Sequence, residues 1–202
     1  MNTYDFEKLL NIKTTGKQKN FNESNHYNIY EPTSYEALDC LFKEYSTNSS
    51  DSYIDFGCGK GRLNFYVNYH FDSKATGIEM NNYYYEEALH NKSNYLKKHK
   101  KKEDKISFLN TFAEKYQINS EDNKFYFFNP FSIQIFMKVV ENILTSLEKH
   151  NRVIDIILYY PFEEYIYFLE NCTSFELFKE IKVTSLYATD KNHRFLIYRY
   201  DY

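Results

Sequence analysis

Tyr53-Ile54-Asp55-Phe56-Gly57-Cys58-Gly59-Lys60-Gly61 is the stretch on which the reading of this 202-residue chain turns. An apolar run ends in an aspartate, three glycines then alternate with other residues, and a helical pattern begins at Arg62. Glycine permits backbone angles that other residues resist and leaves no side chain in a ligand's way. The turn therefore lets a small molecule lie against bare main chain at the carboxyl end of a strand. The first turn of the next helix can offer N–H groups to an anionic part of that molecule. Asp55, at the strand tip, can accept a hydrogen bond or hold a cation.

Downstream, Lys74 to Glu79 reads as a short strand that ends in a carboxylate. Strand, glycine turn, helix, strand, acid is the order of a nucleotide-binding βαβ unit, in which the second acid accepts hydrogen bonds from ribose hydroxyls. With Asp55, Gly57, Gly59 and Gly61 forming D-x-G-x-G-x-G and Glu79 in the place of the ribose acid, the chain resembles the class I S-adenosyl-L-methionine-dependent methyltransferases. The resemblance runs from about Tyr30 to Tyr202, and its specific motifs lie in 53–79 and 125–131. The close competitor is a dinucleotide-binding protein, which shows G-x-G-x-x-G; here position 62 is Arg, and there is no room for a separate substrate domain.

The rest of the chain suits that layout. The spacing predicts a small helix at Phe6 to Ile12, a capped helix after Thr33 or Ser34, and helices after the glycine turn and from Asn81 to about Lys98. Strands are predicted at 106–110, 124–128 and 153–160, the second nearly all aromatic, as a strand buried on both faces would be. A helical stripe covers Ile133 to Leu147 and a short helix Phe162 to Leu169. Two final β-like runs, 175–183 and 195–200, have no helix predicted between them. This alternation predicts an α/β fold with a mainly parallel sheet covered on both faces. The resemblance implies the Rossmann-like version: seven strands in the order 3-2-1-4-5-7-6, the last antiparallel. Residues 1–28 read as a helical and then mobile N-terminal extension, and 29–202 as a single methyltransferase-like domain.

Composition sets limits. With 22 tyrosines, 18 phenylalanines and no tryptophan, the chain has ample rings for a core and a cleft. A net charge of −3 demands no polyanionic partner. The lysine-dense run from Lys92 to Lys105 reads first as a solvated helix end. No stretch approaches the ~18 apolar residues that span a bilayer, and the first residues lack a secretory layout, so a cytoplasmic protein without a membrane partner is expected. Cys40, Cys58 and Cys172 read as reduced thiols. The six histidines, at 26, 70, 90, 99, 150 and 193, have no metal-ligand spacing.

What the resemblance implies about function is methyl transfer from S-adenosyl-L-methionine. Glu79 would take the ribose hydroxyls, the backbone of Gly57, Cys58 and Gly59 would lie against the methionine part, and Asp55 would meet its ammonium group. Relatives often place an adenine-binding acid where this chain has Phe112; that ring can stack on adenine instead, or Asn110 or Glu114 can supply the polar contact. Asn129-Pro130-Phe131 stands where many relatives carry an amine-methylating [Asn/Asp]-Pro-Pro-[Tyr/Phe] motif, one proline short of it; its plain alternative is a turn. As a catalytic unit it would align a nitrogen acceptor on a protein, a nucleic acid or a metabolite, with Asn129 also beside the cofactor. Tyr30 and Tyr35 would line the cofactor mouth, and Lys60 and Arg62 read as exposed residues at the helix start. Two other readings stay open: a catalytically inactive, cofactor-binding partner subunit, and a nicotinamide-dependent oxidoreductase.

Overall fold

The structure, a computed structural model, describes residues 3–16, 30–99 and 105–201. Seven strands, β1 (Ser52–Phe56), β2 (Lys74–Glu79), β3 (Ile106–Asn110), β4 (Lys124–Phe127), β5 (Ile154–Tyr159), β6 (Glu176–Lys182) and β7 (Arg194–Tyr200), form one sheet in the order β3-β2-β1-β4-β5-β7-β6. Strands β3, β2, β1, β4 and β5 run parallel, and β7 lies antiparallel to both β5 and β6. This is the fold class that the sequence implies.

Successive residues of a strand point to opposite faces, so the sheet carries two cores. Tyr53, Tyr126 and Ile157 face a cluster with Leu38 and Leu41 of α2 (Tyr35–Glu44), Phe65 of α3 (Arg62–Phe71) and Tyr95 of α4 (Asn82–His99). Ile54, Phe56, Phe125 and Phe127 face the other, with Phe136 and Val140 of α5 (Ile133–Lys149) and Tyr165 of α6 (Glu163–Cys172). Phe136 stacks on Tyr165 at 3.8 Å between centroids. The aromatic richness is thus core on both faces.

The helix starts follow local chemistry. Ser34 caps α2 by accepting from Ala37 N–H at 3.1 Å. Gly61, at φ +84°, opens α3 directly from the glycine turn. One element differs from expectation. A single-turn helix, α7 (Thr184–Tyr187), sits between β6 and β7, where no helix is expected from the sequence.

The first helix, α1 (Thr3–Leu10), is no appendage. Phe6 and Leu10 are buried, and Phe6 stacks on Tyr35 at 4.4 Å. The last turn of α4 closes α1: Lys98 Nζ donates to the Lys8 carbonyl at 2.7 Å, and the His99 ring lies 2.9 Å from the Leu9 carbonyl. The remainder of the N-terminal extension, 17–28, and lysines 100–102 of the basic run lie outside the described residues.

Candidate functional site

Strand order reverses at β1, which has β2 on one side and β4 on the other. In open α/β sheets, ligands bind at the carboxyl ends of the strands at such a point. Here that rim is made by Asp55 and the glycine turn after β1, Glu79 at the end of β2, and Asn129-Pro130 after β4. The glycine turn meets β4's loop closely: a Cβ placed on Gly57 would lie 2.5 Å from Pro130 Cβ. Gly57, Gly59 and Gly61 all have positive φ, at 75°, 53° and 84°, so no other residue fits them without strain.

Glu79 is fixed by main chain. One carboxylate oxygen accepts from Gly59 N–H at 2.9 Å and the other from Asn81 N–H at 2.8 Å. The glycine turn and the acid therefore form one hydrogen-bonded unit. A carboxylate offers about four acceptor sites, so the two amides orient Glu79 and still leave it able to take hydroxyls. Asp55 lies on the α3 face of the sheet, buried, where Asn64 Nδ2 donates to its Oδ2 at 3.0 Å; the Asn64 oxygen accepts from Gly77 N–H at 3.2 Å. Burial, and then the neighbouring Glu79, push the Asp55 carboxyl up to about 8. Burial also raises Glu79, against the N–H groups that hold it down. The Cys58 thiol, buried between them, is raised well above its usual range and stays neutral. Among the described residues no lysine or arginine pairs with Asp55 or Glu79. Two buried carboxyl groups therefore face each other at the rim without a compensating charge among the described residues.

The other predicted residues fall in distinct places. Asn129 is nearly buried at φ +40°, and its Nδ2 donates to the Tyr160 carbonyl, itself at φ +50°. Phe131 is 1% exposed and edge-on to Phe127, so its ring belongs to the core. Phe112 is 42% exposed just beyond β3, with Lys115 Nζ 4.8 Å from its ring centroid. Asn110 Nδ2 donates to the Glu79 and Met80 carbonyls, and Glu114 sits in the 3-10 turn that follows Phe112. Tyr30 does reach the turn, but Tyr35 is 1% exposed and lies in the core against Phe6.

The expectation that Lys60 and Arg62 are exposed is overturned. Both are 5% exposed, because the N-terminal segment covers them. Arg62 donates to Thr14 Oγ1 at 2.7 Å and to the Thr33 carbonyl at 3.0 Å, and stacks over Tyr35. Asn64 escaped sequence reading altogether. Its only signal was a polar residue on the inward face of α3, one turn after the glycines.

Residues 31–129 match the family model described as a methyltransferase domain. That stretch, about half of the chain, is similar to a methyltransferase domain. The match favours methyl transfer over the nicotinamide alternative. No curated protein matches the chain in sequence. Among solved structures, an RNA methyltransferase from Salinibacter ruber in complex with S-adenosyl-L-homocysteine is similar over 84% of this chain and 92% of that one, at 14% identity and TM-score 0.55. The tRNA (uracil-54, C5)-methyltransferase of Pyrococcus abyssi is similar at 12% identity and TM-score 0.53, over 84% of this chain but only 39% of that one. TrmK of M. capricolum is similar at 14% identity and TM-score 0.50, covering 84% and 68%. At these identities the likeness is one of fold. The methyltransferase's rim fits the cofactor's chemistry: two buried carboxylates without a cation suit a ligand carrying an ammonium and a sulfonium. No helix among the described residues is long and apolar enough to cross a membrane.

Proposed function

We propose that this methyltransferase delivers its methyl group to a nitrogen atom, with Asn129 as the residue that aligns the acceptor. The observation that carries this is the geometry of Asn129 at the carboxyl end of β4, where Pro130 abuts Gly57. Two consecutive loops, each with a non-glycine residue at positive φ, hold the Asn129 amide through its donation to Tyr160 O. Such backbone is uncommon and concentrates at functional sites. The donation to Tyr160 O fixes the orientation of the Asn129 amide, whose chemistry suits a substrate N–H. Pro130 sets the loop's direction and Phe131 anchors it from the core.

In the cofactor half of the site, Asp55 would hold the ammonium group, Glu79 the ribose hydroxyls, and the main chain of Gly57, Cys58 and Gly59 the methionine part. Phe112, the exposed ring beyond β3, would stack on adenine. The bound cofactor supplies an electrophilic methyl group on sulfur. The protein's task is alignment, which alone can lower a barrier by ~7 kcal/mol or more. Loss of a proton by a nitrogen acceptor needs no dedicated base.

The test is a screen of cell-extract fractions, RNA, peptides and amines with radiolabelled methyl donor, followed by mass spectrometry of the product. A methyl group on nitrogen is expected; one on oxygen or carbon overturns the reading. Asn129→Gly, which suits the positive φ, should keep cofactor affinity within about twofold while transfer falls ~100-fold, in the range of a lost aligning group.

A further inference from the structure

The N-terminal segment is tied to the glycine turn by contacts that none of the cofactor roles explains. At Gly59 the space a side chain would fill is taken by the Tyr30 ring, whose Cε2 lies 2.1 Å from the position of an added Cβ. That ring stacks on Tyr84 at 4.6 Å, and its hydroxyl donates to the Thr14 carbonyl at 2.7 Å. Thr14 is fully buried. Its N–H and hydroxyl both donate to Glu7, each at 2.7 Å, while its hydroxyl oxygen accepts from Arg62. Asn91 of α4 closes the arrangement: it accepts from Lys13 N–H at 2.9 Å and donates to the carbonyls of Lys13 and Lys60, both at 3.1 Å. Lys60 Nζ reaches the Thr15 carbonyl at 3.4 Å.

These residues form a strap, α1 through Thr15, fastened across the turn. Its contacts converge on Gly59, Lys60 and Arg62, and Gly59 is the residue whose N–H holds Glu79. The strap and Tyr30 also lie outside the span, 31–129, that matches the family model.

We propose that Tyr30 and Arg62 are positioning residues for the cofactor: they clamp the strap over the turn and thereby fix the Gly59–Glu79 pair. The inference rests on the assignment of that pair to the ribose. A ligand gripped by Glu79 and a strap that holds the Tyr30 ring on Gly59 stabilise the same backbone arrangement. Each therefore strengthens the other by one and the same factor, since coupling between two sites is reciprocal. Arg62 acts at a distance through Thr14, and Tyr30 through direct packing on Gly59.

The experiment uses the full chain and S-adenosyl-L-homocysteine as probe. Its affinity is measured by calorimetry for wild type, Tyr30→Phe, Tyr30→Ala, Arg62→Lys, Arg62→Gln and Glu79→Ala. Amide hydrogen exchange of residues 3–15 is followed with and without the probe. Tyr30→Phe keeps the ring and loses only the bond to Thr14, so it folds even if Tyr30→Ala does not. Expected are a loss of about fivefold for Tyr30→Phe, tenfold or more for Tyr30→Ala and Arg62→Gln, and partial rescue by Arg62→Lys. The probe should slow exchange in the strap of wild type, and do so less in Tyr30→Phe. A strap that only stabilises the fold would lower melting temperature and leave both readouts unmoved, and that result overturns the proposal. If Glu79→Ala loses binding while the Tyr30 and Arg62 variants keep it, the strap inference falls and the ribose assignment stands. If Glu79→Ala also binds normally, both fall.

Discussion

Asp155 and Asp55 are both buried, both on parallel strands of one sheet, and at opposite rims of it. Asp155, at the amino end of β5, accepts from Lys124 Nζ at 2.6 Å, from Arg199 Nε at 2.7 Å and from the Tyr45 hydroxyl. Burial alone would raise its carboxyl, but the Arg199 and Lys124 partners hold it below the usual carboxylate range. Asp55, at the carboxyl end of β1, has an amide and a second carboxylate for neighbours and is pushed up to about 8. The same side chain at the same depth is electrically complete at one rim and incomplete at the other. The lesson is that the amino rim is finished by the chain's own cations, and the carboxyl rim is not.

The largest effect expected from this contrast is at Asp155. Replacing it with alanine leaves Lys124 with only Asp51, at 3.9 Å, and should cost ~3–5 kcal/mol, the range for breaking a buried ion pair. Urea denaturation measures it, and a loss below ~1 kcal/mol would break the comparison. Next is Asp55→Asn, which keeps an acceptor for Asn64 and removes the charge. Its affinity for S-adenosyl-L-homocysteine should fall about tenfold, ~1.4 kcal/mol, while its stability at neutral pH rises, because the wild-type carboxyl must take up a proton to fold there. At pH 9 the variant should also melt higher than wild type, because there the wild-type carboxylate is ionised while buried beside Glu79.

The pH dependence of the unliganded protein sharpens the same contrast. Asp55 titrates near its ordinary 3.8 when unfolded and at about 8 when folded, so the native state holds the extra proton between those values. Its contribution to stability is complete below the lower value and is lost as pH rises through the upper one. Thermal melts should therefore decline from pH 6 to 8 with a slope absent in Asp55→Asn. Over the same range, probe affinity should rise and proton release accompany binding, seen by calorimetry in two buffers of different ionisation heat. Asp155 acts in the opposite sense, its contribution being lost as pH falls through its lowered value.

Much of the carboxyl rim could be read from residues 53–79, because its geometry is local: a glycine turn and the acid one β-unit later are joined by a single hydrogen bond. The alternation of strands and helices was likewise readable from periodicity, whereas the strand order came with the family resemblance. What escaped depends on contacts far apart in the chain. Lys60 and Arg62 look exposed beside glycines, and only Thr14, Thr15 and Thr33, well upstream, make them buried. Phe131 could be read as a substrate ring until Phe127 and α5 placed it inside. The Asp155 network joins β4, β5, β7 and α2, four elements with no shared motif.

The place of β7 has a consequence for how the protein is made. It inserts between β5 and β6, so β5 lacks its outer neighbour, and β6 lacks any neighbour, until residues 194–200 arrive. Arg199, which completes the pairing of Asp155, belongs to that same stretch. During synthesis the glycine turn, Glu79 and the strap all leave the ribosome first and can meet. The far half of the sheet must wait with an open edge, and chaperone attention during translation belongs there.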